Sequence, residues 1–386
     1  MIKAFLFDDV KMFGERTGDE ITIKNSFEIE IKRAGIDSSV LVSSVAKYSG
    51  ESAPKVYFSL WVDGDDKPLY QSYGYSIGRN SEFEMQQWRI PPMFRPDMTT
   101  RISIIIPDGT VLKICDMSGV YDDSFQDWNG AGARHNAHLG FYGIAPNNTM
   151  PAFELAARCG FPACIVVPKV TANGVIVCIH NDTINATARD ENGNPPTEPI
   201  NVSDYTYAQL LKWEFGSWKH RIYKGTHLPR LEEFFELCAK TGMRPMFSTH
   251  PALSVEKWEE VKMMLTKYGL LKKFHIKSFE LDILKTAYSV FGDTIDGYTY
   301  DLDVWSDTKI DEMLSIGIDG EKCRIGMELA NKAYTEAIAK KIINAGMFSA
   351  MWNIPHTTTS EDYERFLSYG ITEFTEDYHC SMGLNW

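Results

Sequence analysis

At 386 residues the chain is longer than one hydrophobic core usually fills, so two domains are expected. Hydrophobic residues at 44% and charged residues at 24% exclude a chain that is disordered throughout. Lys and Arg number 39 against 52 Asp and Glu, and the resulting formal charge of -13 repels nucleic-acid phosphates, so no nucleic-acid partner is expected.

Cys115, Cys159, Cys164, Cys178, Cys238, Cys323 and Cys380 are scattered, without the close pairs of a zinc site or a disulfide scaffold, and read as reduced and mostly buried. The opening ten residues are interrupted by Asp8 and Asp9, too early for the apolar core of a signal peptide, and no stretch reaches the ~18 apolar residues of a membrane span. The expected location is cytoplasmic, or on a particle or surface without a cleaved signal peptide.

From residue 3 to about residue 121 short β-like runs follow one another: 20–31, 40–47, 55–62, 69–77, 83–90, 101–106 and 111–115. Turns such as Asp63-Gly64 and Asp108-Gly109 separate them, the spacing of an antiparallel sandwich or small barrel. This all-β accessory domain is placed at 1–125 and a linker rich in Asp, Asn and Gly at 126–134.

Thereafter strands alternate with helices. Phe153, Ala156 and Ala157 stand at helical spacing before Gly160; Leu231, Phe234, Phe235 and Cys238 before Gly242; Trp258, Val261 and Leu265 behind a Ser254 cap. Two further helices carry Ala333, Ala337, Ile338 and Ile342, then Tyr363, Phe366 and Leu367. Strand candidates lie at 164–170, 245–248, 274–278, 297–300, 324–327, 348–352 and 373–375. About 250 residues of this alternation is the size of a (β/α)8 barrel, assigned to 135–386, with its chemistry at the C-terminal strand ends.

The most informative stretch runs Ala137-His138-Leu139-Gly140, Ala145-Pro146-Asn147-Asn148-Thr149, then 165–180 with an Asn173-Gly174 turn. It resembles the glycerophosphodiester phosphodiesterase family, whose motif order is His-Arg-Gly, Ala-Pro-Glu-Asn-Thr, Glu-x-Asp, Thr-x-Asp-Gly and His-Asp. The likeness continues through Leu228-Pro229-Arg230-Leu231-Glu232-Glu233, Ser278-Phe279 and Trp352 to Gly370-Ile371-Thr372, covering about residues 135–378.

The resemblance implies a TIM barrel of the phospholipase-C-like phosphodiesterase type, acting on glycerophospholipid-derived substrates in lipid metabolism. In that family carboxylates hold a divalent cation such as calcium or magnesium, and two histidines act as general base and acid on a phosphodiester. The histidines are matched by His138 and His180. The metal ligands are not: the Glu-x-Asp pair falls on Ile165 and Val167 and the downstream Glu on Ser248, with the following Lys on His250. The Arg after the first histidine is Leu139, the motif Glu is Asn147, and the Asp after the second histidine is Asn181. No metal or other cofactor is therefore expected. The ligand pocket is assigned to Asn147, Ser248, His250 and Trp352 around the two histidines, for a small phosphate or phosphodiester.

A two-residue hairpin at Asn173-Gly174 would set Val167 beside His180. Asp182, Asp301 and Asp303 are the carboxylates available to replace those lost, the last two read as loop residues beyond a strand end. The segment 186–225 reads as a lid over the barrel mouth. The function expected is a phosphodiesterase-family protein with hydrolysis lost or weak. The alternatives are an active enzyme with a relocated metal site or a metal-independent histidine pair, and a structural or attachment protein that forms homo-oligomers through the β-domain.

Overall fold

The computed structural model describes residues 3–5, 7–32, 39–72, 74–90, 95–122, 134–249, 253–352 and 360–376. The chain forms two compact units, one built on the N-terminal strands and the other on the segment that begins after them.

In the first unit, a seven-stranded sheet runs in the order Glu84–Ile90, Ser39–Ser49, Val111–Asp122, Glu20–Ile23, Glu15–Thr17, with Lys3–Phe5 and Arg79–Asn80 attached beside it. A five-stranded sheet runs Phe27–Lys32, Met98–Ile105, Lys55–Val62, Tyr70–Gln71, with Tyr75–Ser76 also on Lys55–Val62. Met98–Ile105 buries alternate residues, the period that turns one face of a strand to a core. The Phe58 ring, from the smaller sheet, lies 5.9 Å from the Trp88 ring of the larger, so the two sheets share one apolar interior. The run expected at 20–31 is broken by Lys24, Asn25 and Ser26 into two strands that join different sheets.

In the second unit eight parallel strands close into a barrel. They are β1 (Arg134–Ala137), β2 (Ala163–Val166), β3 (Arg244–Ser248), β4 (His275–Ser278), β5 (Gly297–Leu302), β6 (Arg324–Ala330), β7 (Phe348–Trp352) and β8 (Ile371–Glu376). The helices between them in sequence are α1 (Met150–Arg158), α2 (Leu231–Thr241), α3 (Val255–Lys267), α4 (Leu281–Phe291), α5 (Thr308–Leu314), α6 (Glu336–Asn344) and α7 (Ser360–Ser368), the last belonging to the first unit as far as Arg365. Ser254 caps α3 by accepting from the Lys257 amide at 3.3 Å. Phe235, Phe247, Phe274, Trp258 and Phe291 interlock in one aromatic layer, with Phe247 and Phe274 edge to face at 4.7 Å.

Strand register decides which side chains meet inside. Followed around the barrel, the pairings set interior residues in tiers drawn from alternate strands. One tier holds Asn136, Met246, Thr299 and Ala350. The next holds Ile165, Lys277, Glu328 and Thr375. The tier at the mouth holds His138, Ser248, Asp301 and Trp352. Burial agrees, since every residue of the first two tiers is buried whereas His138, Ser248 and Trp352 are only partly so.

Nearer the N-terminal strand ends the interior is a charged lattice. Asp296 accepts from Arg244 at 2.9 Å and meets His275 Nδ1 at 3.2 Å, while His275 Nε2 meets the Thr299 hydroxyl at 2.7 Å. Glu373 accepts from Arg324 at 2.5 Å and from Asn136 at 3.2 Å. Gly326 leaves room for this layer, because a Cβ there would lie 2.2 Å from the Phe348 ring. Polar groups at this end of such a barrel serve stability.

Candidate functional site

The loop after β1 is set by two residues in the left-handed region. Leu139 has φ 57 and Asn148 φ 52, and the Asn148 amide donates to the Leu139 carbonyl at 2.9 Å. Asn148 is buried, and its Oδ1 accepts from the Val167 amide at 3.0 Å, tying this loop to the end of β2. His138 and Asn147 are both partly buried, His138 directly after the last residue of β1. The strand itself, Arg-His-Asn-Ala, carried no apolar run by which sequence could reveal it.

The positions expected for metal ligands lie in apolar surroundings. Leu139, Ala163, Ile165, Val167 and Met246 form one buried cluster, none more than 4% exposed. A divalent cation needs several oxygen donors, and this wall offers it hydrocarbon. Among the described residues no group of three or more His, Cys, Asp or Glu side chains is placed to hold a metal ion. A cation of the family's type does not fit here. Ser248 is partly buried in the mouth tier, and His250 lies outside the described residues.

The single strand expected at 164–170 is in fact two. β2 ends at Val166, and Pro168–Val170 turns away to pair with Ile176–Cys178. The turn also differs from expectation. Thr171 and Val175 close a loop of Ala172, Asn173 and Gly174, with Gly174 at φ 80, one residue more than a two-residue hairpin. The extra residue shifts the register, so Val167 stands opposite Ile179, whose amide donates to the Val167 carbonyl at 3.0 Å. His180, one place further along, is exposed, and its Nδ1 meets Asn181 Oδ1 at 2.8 Å.

Charge occupies the other side of the barrel. Lys277 of β4 is ion-paired with Glu328 of β6, its Nζ lies 3.6 Å from Asp301 of β5, and Glu328 also accepts from the Thr375 hydroxyl at 2.6 Å. All four are buried. Burial would lower the Lys277 ammonium, yet Asp301 and Glu328 outweigh it and raise it. Burial pushes the Asp301 carboxyl well up, with Lys277 opposing and Glu328 adding to the rise. Asp301 is thus an interior residue of β5, not the loop residue expected, because β5 continues to Leu302. Asp303 is exposed, and Asp182 is ion-paired with the buried Lys169. Sequence reasoning passed over Lys277 and Glu328. Period-two alternation along β4, which puts Lys277 on the same face as His275, was the signal available.

Trp352 ends β7 with its ring 5.6 Å from the exposed Phe279, edge to face. The long excursion after the hairpin has a core of its own, in which Ile184, Ala188, Val202, Leu210, Phe215 and Leu228 pack with Val177 and Ile179. Glu214 organises it by accepting from the amides of Gly216, Ser217 and Gly225 at 2.9, 3.0 and 3.2 Å. Burial alone would raise that carboxyl; these bonds, with the Ser217 hydroxyl, hold it below its ordinary range. Lys219 donates to the Tyr142 carbonyl at 2.7 Å and Tyr223 to the Ile144 carbonyl at 3.2 Å, which fastens the excursion to the loop carrying His138 and Asn147.

Residues 130–289 match the profile of the Glycerophosphoryl diester phosphodiesterase family. A glycerophosphodiester phosphodiesterase of Bacillus altitudinis is 35% identical over 156 residues, covering 38% of this chain and 59% of that protein. YhdW of Bacillus subtilis (strain 168), a candidate glycerophosphodiester phosphodiesterase, is 30% identical over 146 residues, covering 37% and 56%. The matched region thus spans somewhat more than half the length of these relatives. Among solved structures, an Oleispira antarctica phosphodiesterase in complex with the product sn-glycerol-3-phosphate superposes with TM-score 0.54 at 19% identity, covering 64% of this chain and 93% of that one. At that identity the likeness is one of fold. In the first unit and the second alike, no described helix is long and apolar enough to cross a membrane.

Proposed function

We propose that this chain is a member of the glycerophosphoryl diester phosphodiesterase family, which its residues 130–289 match, without metal-dependent hydrolysis and keeping a pocket for a phosphate-type ligand. One observation carries the reading: Ile165 and Val167, in place of the paired carboxylates, are sealed in an apolar cluster with Leu139, Ala163 and Met246. Hydrophobic side chains there neither coordinate a cation nor tolerate one without compensating charge. With the carboxylates gone, the potential around His138 and His180 favours an anion, and His138 and Asn147 are set at the mouth by a loop that other contacts hold rigidly. Derivatives of glycerophospholipids are the ligand class that the family suggests.

The experiment is release of alcohol from glycerophosphocholine in calcium, magnesium or EDTA, beside calorimetric titration with inorganic phosphate. Background hydrolysis in all three media together with phosphate binding that weakens in His138→Ala is the expected result. Metal-stimulated turnover that disappears in His138→Ala would overturn it in favour of an active enzyme.

The first unit supports a second, non-enzymatic role. Glu84–Ile90 is an edge strand of its sheet, and Met85 on it and the adjoining Phe83 are exposed at 46% and 39%. Exposed apolar groups on an unpaired strand edge suit self-association or attachment. Light scattering of the full chain and of Met85→Lys tests this: a dimer or larger species that becomes monomeric in the variant supports it, and a monomeric parent refutes it.

A further inference from the structure

Asn-Gly, the dipeptide of the hairpin turn at 173–174, occurs again at 192–193 on the long excursion; a further pair, Asn129-Gly130, lies outside the described residues. An Asn followed by Gly is chemically labile, because glycine has no side chain to keep its own amide nitrogen away from the Asn side-chain carbonyl carbon.

The two described pairs differ at the carbon that would be attacked. Asn173 Oδ1 accepts from the Thr171 hydroxyl at 3.0 Å and from the Tyr207 amide at 2.9 Å, and the carbonyl of Gly174 accepts from Lys257 at 2.5 Å. The side chain of Asn173 is thereby fixed, and the glycine behind it is tied to α3. Asn192 lacks such ties: it is exposed, its side-chain amide makes no hydrogen bond among the described residues, and open space surrounds Gly193. What holds this tip is Asp190, whose Oδ1 accepts from the amides of Asn192 and Asn194 at 2.9 and 2.8 Å and whose carbonyl accepts from the Gly193 amide at 3.0 Å. Residues 190–194 belong to no helix or strand, so these bonds break by local opening alone.

We propose that Asn192 is a site of spontaneous deamidation, whereas Asn173 is shielded from the same reaction by the bonds around its turn. The Gly193 nitrogen bonds to Asn192 Cγ as the bond from Cγ to the side-chain nitrogen breaks, and the amide proton departs with that nitrogen as ammonia. Water then opens the succinimide at either carbonyl, leaving aspartate or isoaspartate, with nothing oxidised or reduced. Either product adds a negative charge beside Asp190 and Glu191. Isoaspartate also lengthens the main chain by one carbon, which draws the tip amides off Asp190. The excursion is fastened to the barrel through Lys219 and Tyr223, so the change stays at the tip. The reaction is independent of the function proposed above.

The test incubates the full chain in mildly alkaline buffer, folded and in urea, and follows the peptides bearing residues 173 and 192 by mass spectrometry, with isoaspartate read by enzymatic methylation. In the folded chain conversion at Asn192 is expected to be at least about tenfold faster than at Asn173, a gap that closes to about twofold or less in urea. Asn192→Gln should abolish the acid formed at that peptide, and Thr171→Val, which removes one donor to Asn173, should raise conversion at Asn173 severalfold. Equal rates at the two sites in the folded chain, or no conversion at Asn192, overturns the site. A gap that persists in urea overturns the shielding, since sequence neighbours rather than the fold would then set the rates.

Discussion

The Ile179 amide donates to the Val167 carbonyl, and this one bond fixes what stands over the second barrel strand: an isoleucine, with the next residue, His180, exposed. A carboxylate introduced at Val167 would therefore face hydrocarbon. Ile165→Glu with Val167→Asp is expected to lower stability in EDTA by more than about 3 kcal/mol, the scale of burying uncompensated charge. If Ser248→Glu is added, calcium is expected to restore part of the loss. Thermal melts with and without calcium decide it, and a triple variant indifferent to calcium would show that the wall does not reopen.

The buried ion pair on the opposite wall behaves differently. Lys277→Met removes the ammonium and leaves Glu328 buried with the Thr375 hydroxyl donating to it and Asp301 without its ion-pair partner. The expected cost is about 3–5 kcal/mol by denaturant unfolding. Lys277→Met combined with Glu328→Gln should recover part of it, because the charge on Glu328 is then removed while Asp301 still lacks its cation. Equal losses in the single and double variants would mean that packing, not charge, is what Lys277 supplies.

Stability should fall on acidification in two stages. Burial pushes His275 below its ordinary range, against the pull of Asp296, so it folds neutral and the unfolded chain takes the proton first; stability on this account declines as pH drops through about 6.5. Burial opposes ionisation of Asp296 as well, but His275, Arg244 and Arg324 hold it well below, and Glu373 is held down in the same way chiefly by Arg324. Their contribution is present above the unfolded carboxylate range, near pH 4, and is lost as pH falls through it toward the lower folded values. Unfolding free energies measured from pH 8 to 3 check both stages. In His275→Gln the upper one should vanish and the lower remain.

Much of this barrel was legible in sequence because its period is plain. The strand at Phe348–Trp352 falls where its apolar run places it, and α2 ends at Gly242, which is left-handed at φ 80. What escaped differs in cause. Arg134–Ala137 is polar because it faces Glu373 inside the barrel, whereas Leu281–Phe291 was missed although Asp282, Lys285, Thr286 and Ser289 set a polar face opposite Ile283, Leu284, Ala287 and Val290. The run 164–170 looks continuous although Pro168 opens a separate hairpin, and a third loop residue at Gly174 moved its register by one. At the site, the losses at Ile165 and Val167 were readable from motif order. The gain of Lys277, Asp301 and Glu328 was not, because three strands far apart in sequence bring them together.

Asn148 separates two effects that its loop combines. Its backbone sits at φ 52, where a side chain other than Asn or Asp is strained, and its Oδ1 satisfies the Val167 amide. Asn148→Gly keeps the conformation and loses the bond, for an expected cost of about 1–3 kcal/mol. Asn148→Ala loses both and should cost about 1 kcal/mol more, the ordinary penalty for a left-handed residue with a Cβ. In both variants phosphate affinity should drop with stability, since the same bond anchors the loop that carries His138. Calorimetric titration beside denaturant unfolding decides it: affinity unchanged in Asn148→Gly would show that His138 is positioned by its strand alone.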